Sequence, residues 1–286
     1  MRVISGALLL AALPSAVLAK RVETGNLPNA QQLKPLVLAG LRHSKKNLEN
    51  YSCLVRTESQ EFRSDGSVKK TETKLEERFY VNGVPIGHLL SKEGRQLSAV
   101  EAKKEQGRVD YEVKKYSNAK EAAKRHEEGE QQVEMFLRAQ RLLNGRRVMR
   151  DGRSTLLYDL EGDPNFRPKK IEERFAQALS GKLWLDEHSS MPVEMRADTA
   201  KDIKIGGGLI ASLHKGFQLH LLLQRQPDDT WLVKRVEGNG EARAALFLHP
   251  RFHFKEEISD CHLFSVQTEQ KIANPMPSEN RNQQPQ

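Results

Sequence analysis

Nine histidines are the first place to look for chemistry in this chain, and His249 and His253 are the pair whose spacing comes nearest to a metal motif. On a strand, a spacing of four puts both side chains on one face but about 13 Å apart, too far to share an ion. A helix would bring them together, and Pro250 with its alternating neighbours opposes one. The stretch HFKEE also lacks the second histidine, four positions on, of a zinc-protease helix. Carboxylates are abundant, but KKTETKLEE and RHEEGE are mixed-charge runs, and paired acids need partial burial to separate their pKa values for acid and base roles. Asp186, after LWL, is the one acid in apolar company, and it reads as the opening of the turn DEHSS. There is no G-x-S-x-G elbow, and GGGL at 206–209 lacks the Lys and Ser or Thr of a phosphate loop. Four arginines in NGRRVMRDGR, residues 144–153, come without the interleaved aromatics that stack on bases. The sequence therefore assigns no catalytic residue, metal, cofactor or nucleic-acid partner.

What the chain does carry is an address and an apolar pattern. Residues 1–19, MRVISGALLLAALPSAVLA, have one charge at Arg2, an apolar run from Val3 to Leu13, and small residues before Ala19. That is the pattern of a cleavable secretory signal peptide, and it places the protein in a periplasm or outside the cell. No other stretch reaches the roughly 18 consecutive apolar residues of a membrane helix. No cysteine stands at the cut, so no lipid anchor is expected there. Loss of the leader lowers the net charge from +8 to +7, a balance suited to anionic lipid heads or polyanions, and equally to a solvated basic surface. Cys53 and Cys261 are the two cysteines. In an oxidising compartment they can pair, closing a loop for about 4–5 kcal/mol in the chain-entropy model, or remain two buried thiols.

Behind the leader and a short linker at 20–29, periodicity organises residues 30–266 as one domain. Leu33, Val37, Leu41 and Leu48 share one helical face, with Pro35 tolerable in a first turn. Cys53 and Val55 lead a strand, SDGS at 64–67 turns the chain, and VKKTETKLEERFYV returns. Asn82-Gly83 supplies the next tight turn, and IGHLL another strand. SAVE at 98–101 is a capping box that opens a helical insertion over 98–143, with weak points at Gly107, Ser117, Asn118 and Gly129. Its first half is nearly all polar, whereas Val133, Phe136, Leu137, Gln140 and Leu143 give the second half a core-facing stripe. From Asn144 strands dominate, with turns at Asn144-Gly145 and Asp151-Gly152 and a short helix at IEERFAQAL. The glutamine- and proline-rich tail, 267–286, is expected to be disordered.

The expected fold is mainly β with helices: a curved antiparallel sheet of about ten strands forming an unclosed β-barrel lidded by helices. One face of such a sheet is dry and must be covered. The candidate lining of that face is Phe79, Val81, Leu183, Leu185, Val193, Met195, Phe217, Leu219, Leu221, Trp231 and Val233, each on the apolar phase of a strand. Two coverings remain open, the protein's own helices or a guest acyl chain, each methylene of which gains about 0.8 kcal/mol on leaving water.

The order of signal peptide, amphipathic helix, YSCLV strand, charged hairpin, GKLWLDEHSSMPVEMRA and strand-rich ending resembles the periplasmic lipoprotein carriers of the LolA and LolB type, within the outer-membrane lipoprotein-sorting proteins. The likeness spans roughly residues 30–266, and the hairpin beginning GKLWLD at 181–186 is its most suggestive segment. It implies an unclosed barrel whose concave side takes acyl chains of lipid or lipidated protein, without catalysis. An early-strand arginine matters in that family, and Arg56 lies on an early strand here. A membrane surface or an envelope protein is the further partner class. The alternatives are an envelope scaffold with a fully packed core, and an envelope hydrolase whose site is dispersed through loops.

Overall fold

A computed structural model describes residues 27–45, 47–205, 211–244 and 250–263. The leader at 1–19, GGGL at 206–209, His249 and the tail at 267–286 lie outside the described residues.

The first helix, α1 (Ala30–Lys45), opens on a reciprocal cap in which the Asn29 amide donates to the Gln32 side chain at 2.9 Å and the Gln32 amide to the Asn29 side chain at 3.0 Å. Pro35 sits in the second turn rather than the first, where it removes one backbone hydrogen bond. The helix survives because Pro35 is exposed while Leu33 and Val37, 0% and 2% exposed, are buried. Each contributes about 1.5–3 kcal/mol on leaving water.

A 3₁₀ turn (Leu48–Asn50) leads into β1 (Tyr51–Phe62), β2 (Val68–Val81), β3 (Val84–Lys92) and the short β4 (Arg95–Gln96). Asn82 and Gly83 hold φ of 47° and 71°, the left-handed pair that a two-residue hairpin requires. Two helices follow, α2 (Ala99–Tyr116) and α3 (Ala119–Ala139). Ser98 and Glu101 form the capping box of α2, and Asn118 caps α3 through its side chain. The helical segment breaks at Ser117 and Asn118, as expected, whereas both helices run unbroken through Gly107 and Gly129. The apolar stripe of α3 stops at Ala139, because Gln140 already belongs to β5 (Gln140–Arg150). Asn144-Gly145, expected as a turn, is instead a register shift inside β5, with Asn144 at φ 50°.

The remainder is β6 (Arg153–Gly162), α4 (Ile171–Ala178), β7 (Leu179–Asp186), β8 (Pro192–Thr199), β9 (Ile203–Ile205), β10 (Ala211–Leu213), β11 (Gln218–Arg225), β12 (Trp231–Ala244) and β13 (Arg251–Leu263). All pairings are antiparallel, in the order β4-β3-β2-β1-β13-β12-β11-β8-β7-β6-β5, with β9 and β10 attached beside β12. The sheet is curved and unclosed, mostly strand with a few helices, as the alternation of the sequence requires.

The two edges of the sheet are bridged by the α2–α3 segment, which leaves β4 and enters β5. At the β3 edge, α2 satisfies exposed backbone groups: the Leu89 amide donates to Glu105 at 2.8 Å, and Arg108 donates to the Gly87 carbonyl. This caps an edge that would otherwise template another strand. The main core lies between α1, α3 and one face of β6, β7 and β8, where Leu33, Val37 and Leu137 meet Leu156, Leu160, Leu183 and Leu185. We call this the inner face. Cys53 and Cys261 form a disulfide that ties β1 to β13 across 208 positions.

Candidate functional site

Strand register decides which of the candidate lining residues share a surface. Leu183 pairs with Met195, Met195 with Leu221, and Leu219 with Ala197, so these residues occupy the inner face. Leu183, Leu185 and Met195 are 4%, 1% and 8% exposed and pack against the protein's own helices. Leu219 and Leu221 are half-buried against the margin of that core. The row continues across β12 and β13 through Val236, Phe254 and Ile258, all half-buried. Burial therefore falls along one row from β7 to β13, apolar as far as Val236 and Phe254 and interrupted on β13 by Glu256, which pairs with Val236 and binds Arg78 at 2.8 Å.

Phe79 and Val81 do not belong to that row. Their phase on β2 is that of Leu75, which pairs with Arg56; Arg56 pairs with Glu257, Glu257 with Arg235, Arg235 with Leu222, and Leu222 with Glu194. Glu194 faces away from Met195, so Phe79 and Val81 lie on the opposite face, beside the buried Val84 and Ile86 at the end where α2 and α3 pack. Side-chain period is two, so apolar phase within one strand says nothing of which face that strand presents. Arg56, the arginine suggested by the resemblance, is exposed on this opposite face as well.

The other candidates sit at the ends of the sheet. Phe217 precedes β11 and is 5% exposed, its ring 5.7 Å from Phe175 of α4 and 5.9 Å from Phe252. Gly238 and Gly240 lie beneath it, and a Cβ at Gly240 would come within 2.8 Å of the ring. Glycine is what allows that close approach. Val193 is the extra residue of a bulge between β7 and β8, since Trp184 pairs with Glu194 and Leu185 with Pro192. Trp231 is 8% exposed, and its backbone amide donates to the Ser44 hydroxyl of α1 at 3.0 Å. Val233, half-buried, pairs with Leu223.

The opposite face holds buried charged groups, of which the sequence singled out Asp186, as the opening of a turn, and not Glu194. Glu194 is 1% exposed, yet three donors reach it: Arg150, Arg196 at 2.5 Å and His220 at 2.7 Å. Arg150 and Arg196 also flank the Trp184 ring, at 5.7 and 5.9 Å from its centroid. Burial alone would raise the Glu194 pKa; hydrogen bonds from Arg196, Arg150 and His220 outweigh it and hold the carboxyl below its ordinary value. Asp186, also 1% exposed, caps the β7–β8 turn by accepting from the Ser189 amide at 2.8 Å and its hydroxyl at 2.9 Å, and binds Arg153 at 2.8 Å. Burial likewise pushes its pKa up, and these bonds bring it down.

None of these groups forms a nucleophile and base pair poised over a cavity. Among the described residues no cluster of three or more His, Cys, Asp or Glu could hold a metal ion. His253 bonds Glu237 at 2.9 Å. No helix among the described residues is long and apolar enough to cross a membrane. What the geometry offers is apolar surface of graded burial inside a curved sheet, and a cationic rim near one end.

No protein-family model matches the chain, and no curated protein matches it. Among solved structures, a domain described as an outer membrane lipoprotein-sorting protein from Vibrio parahaemolyticus aligns with 83% of this chain and 96% of its own, at 10% identity and a TM-score of 0.31. MucB, solved in complex with MucA(peri), aligns with 80% of this chain and 100% of its own, at 10% identity and a TM-score of 0.18. Scores this low carry no argument, and the architecture rests on the strand pairings themselves.

Proposed function

We propose that this is a non-catalytic carrier of the cell envelope that holds acyl chains of a lipid or lipidated protein on the inner face of its sheet. The observation that supports this reading is the graded row. Leu183, Leu185 and Met195 are sealed by α1 and α3, while Leu219, Leu221, Val236 and Phe254 continue the same surface half-buried as far as the Glu256–Arg78 ion pair. A guest chain completes what the helices leave. Opening is cheap where the cover is thin: among the described residues of α2 only Val109 is buried, and of α3 only Ala122, Leu137 and Ala139. Secretion to a periplasm, through the leader read in residues 1–19, puts such a carrier where lipidated proteins travel.

The test is covalent capture. A photoreactive phenylalanine analogue at position 254 should crosslink to acyl material when the protein is irradiated in its own host, and native mass spectrometry of the unmodified protein should show a lipid or acylated peptide. An empty protein by both measurements ends the carrier reading. A second reading, a scaffold with a filled core, is favoured by the burial of Leu183, Leu185 and Met195 against the protein's own helices. It expects no acyl adduct at position 254 and a stable protein adduct on the basic surface.

A further inference from the structure

The pairing of β8 with β11 ends at Glu194 and Leu222, while both strands run on. Where they part, a cleft of 530 Å³ opens, with Arg150, Arg153, Arg225 and Lys234 around it and Val193, Leu222 and Trp231 on its apolar side. A second cavity of 350 Å³ adjoins it, sharing Arg153, Arg225 and Trp231, and is lined further along by Leu36, Ala39 and Met191. One end of this paired cavity is cationic and the other apolar.

The arginines are held from behind. Asp186 binds Arg153 through Nε, leaving both terminal nitrogens of that guanidinium, and Glu194 binds a terminal nitrogen of Arg150. The two carboxylates are 2% and 1% exposed, whereas the Arg153 and Arg150 side chains keep 37% and 27%. Their oxygens are engaged by Ser189, Arg196, His220 and the same arginines. An incoming group thus meets N–H donors fixed in place, which lose little freedom on binding. Arg225 pairs with Asp229 at the outer rim, and Lys234 is exposed with no ion pair among the described residues. Asp151, the remaining acid of the cleft, lies on a turn with its side chain 93% exposed.

We infer that this paired cavity is a binding site for the phosphate group of an amphiphile, with the phosphate among Arg150, Arg153, Arg225 and Lys234 and the first carbons of its tail against Trp231, Met191 and Leu36. It deepens the carrier reading by naming the headgroup, and it rests on that reading for its biological ligand. A planar fork of donors suits a tetrahedral oxyanion better than a neutral sugar or a choline head.

Trp231 reports on this site directly. The chain has two tryptophans, so a Trp184→Phe variant leaves Trp231 as the sole indole, remote in sequence from position 254. Its fluorescence is titrated with dihexanoyl phosphatidic acid kept monomeric, with inorganic phosphate, and with octyl glucoside. A saturable change for phosphatidic acid, at least tenfold tighter than for either other probe and weakened at least tenfold by Arg225→Gln with Lys234→Gln, supports the site. Equal affinity for octyl glucoside removes the anion preference and overturns it. Equal affinity for inorganic phosphate removes the tail and reduces the site to a phosphate site. Unchanged affinity in the double variant, with the fold confirmed by circular dichroism, also overturns it. Because crosslinking at position 254 reads the sheet interior, the carrier reading can fail while this site stands, or the reverse.

Discussion

Replacing Glu194 by glutamine should be among the most damaging conservative changes in the sheet. The side chain is 1% exposed and receives Arg150, Arg196 and His220. Removing one partner of a buried ion pair costs about 3–5 kcal/mol, chiefly because the remaining charges lose their counter-ion. Arg196 is 64% exposed and can turn to water, so its share is discounted. Arg150, at 27% exposure, and His220, at 25%, cannot do so as freely. A cost of about 3 kcal/mol follows, at the low end of that range. For a folded unit of this size, that lowers the thermal midpoint by about 6–12 °C. Differential scanning fluorimetry and urea unfolding measure it, and the emission of Trp184, flanked by both arginines, should change locally in the same variant. Glu237→Gln is the control, since Glu237 and its partner His253 are 31% and 23% exposed and lie at the sheet surface; it should cost less than about 0.5 kcal/mol. If Glu194→Gln behaves like the control, the charge network does not support the sheet, and the preorganised arginines of the cleft lose their footing.

Two further outcomes follow from the same structure. Converting Cys53 and Cys261 to serine should remove about 5 kcal/mol, the chain-entropy value for a bridge spanning 208 positions; a urea midpoint unmoved by the change or by reductant would contradict it. Acid should weaken the fold through Asp186 and Glu194, whose carboxyls are held below their ordinary values. Because the folded pKa is the lower one, their stabilisation is complete above the unfolded values of about 3.9 and 4.3 and disappears as pH falls through the folded ones. The urea midpoint should be level from pH 7 to 5 and drop below about pH 4, with a shallower drop in Glu194→Gln; a level profile down to pH 3 would refute the assignment.

Local chemistry was legible where a few adjacent residues decide the outcome. The Ser98–Glu101 box, the Asn82-Gly83 turn, the Asp151-Gly152 turn and the helix at 171–178 depend on neighbours within four positions. Features set by register were not. Phe79 and Leu183 have the same apolar phase within their strands and lie on opposite faces, because six intervening pairings carry the phase across the sheet. Asn144-Gly145 has the composition of a hairpin turn, yet the chain absorbs it as a bulge, since Asp151-Gly152 seven residues on makes the reversal. Glu194 was invisible for another reason. Its partners Arg150 and His220 lie 44 and 26 positions away, and in the sequence it is one more acid in a chain with thirty-eight.

The first and last described strands, β1 and β13, are side by side in the middle of the sheet. On the secretory route proposed above, β1 would emerge with one flank vacant, and that flank would wait through some two hundred residues for its mate. Until β13 emerges, the sheet exists as two halves with raw seams. Such a protein should mature late and all at once, and should lean on chaperone escort in proportion to how slowly its carboxyl end arrives.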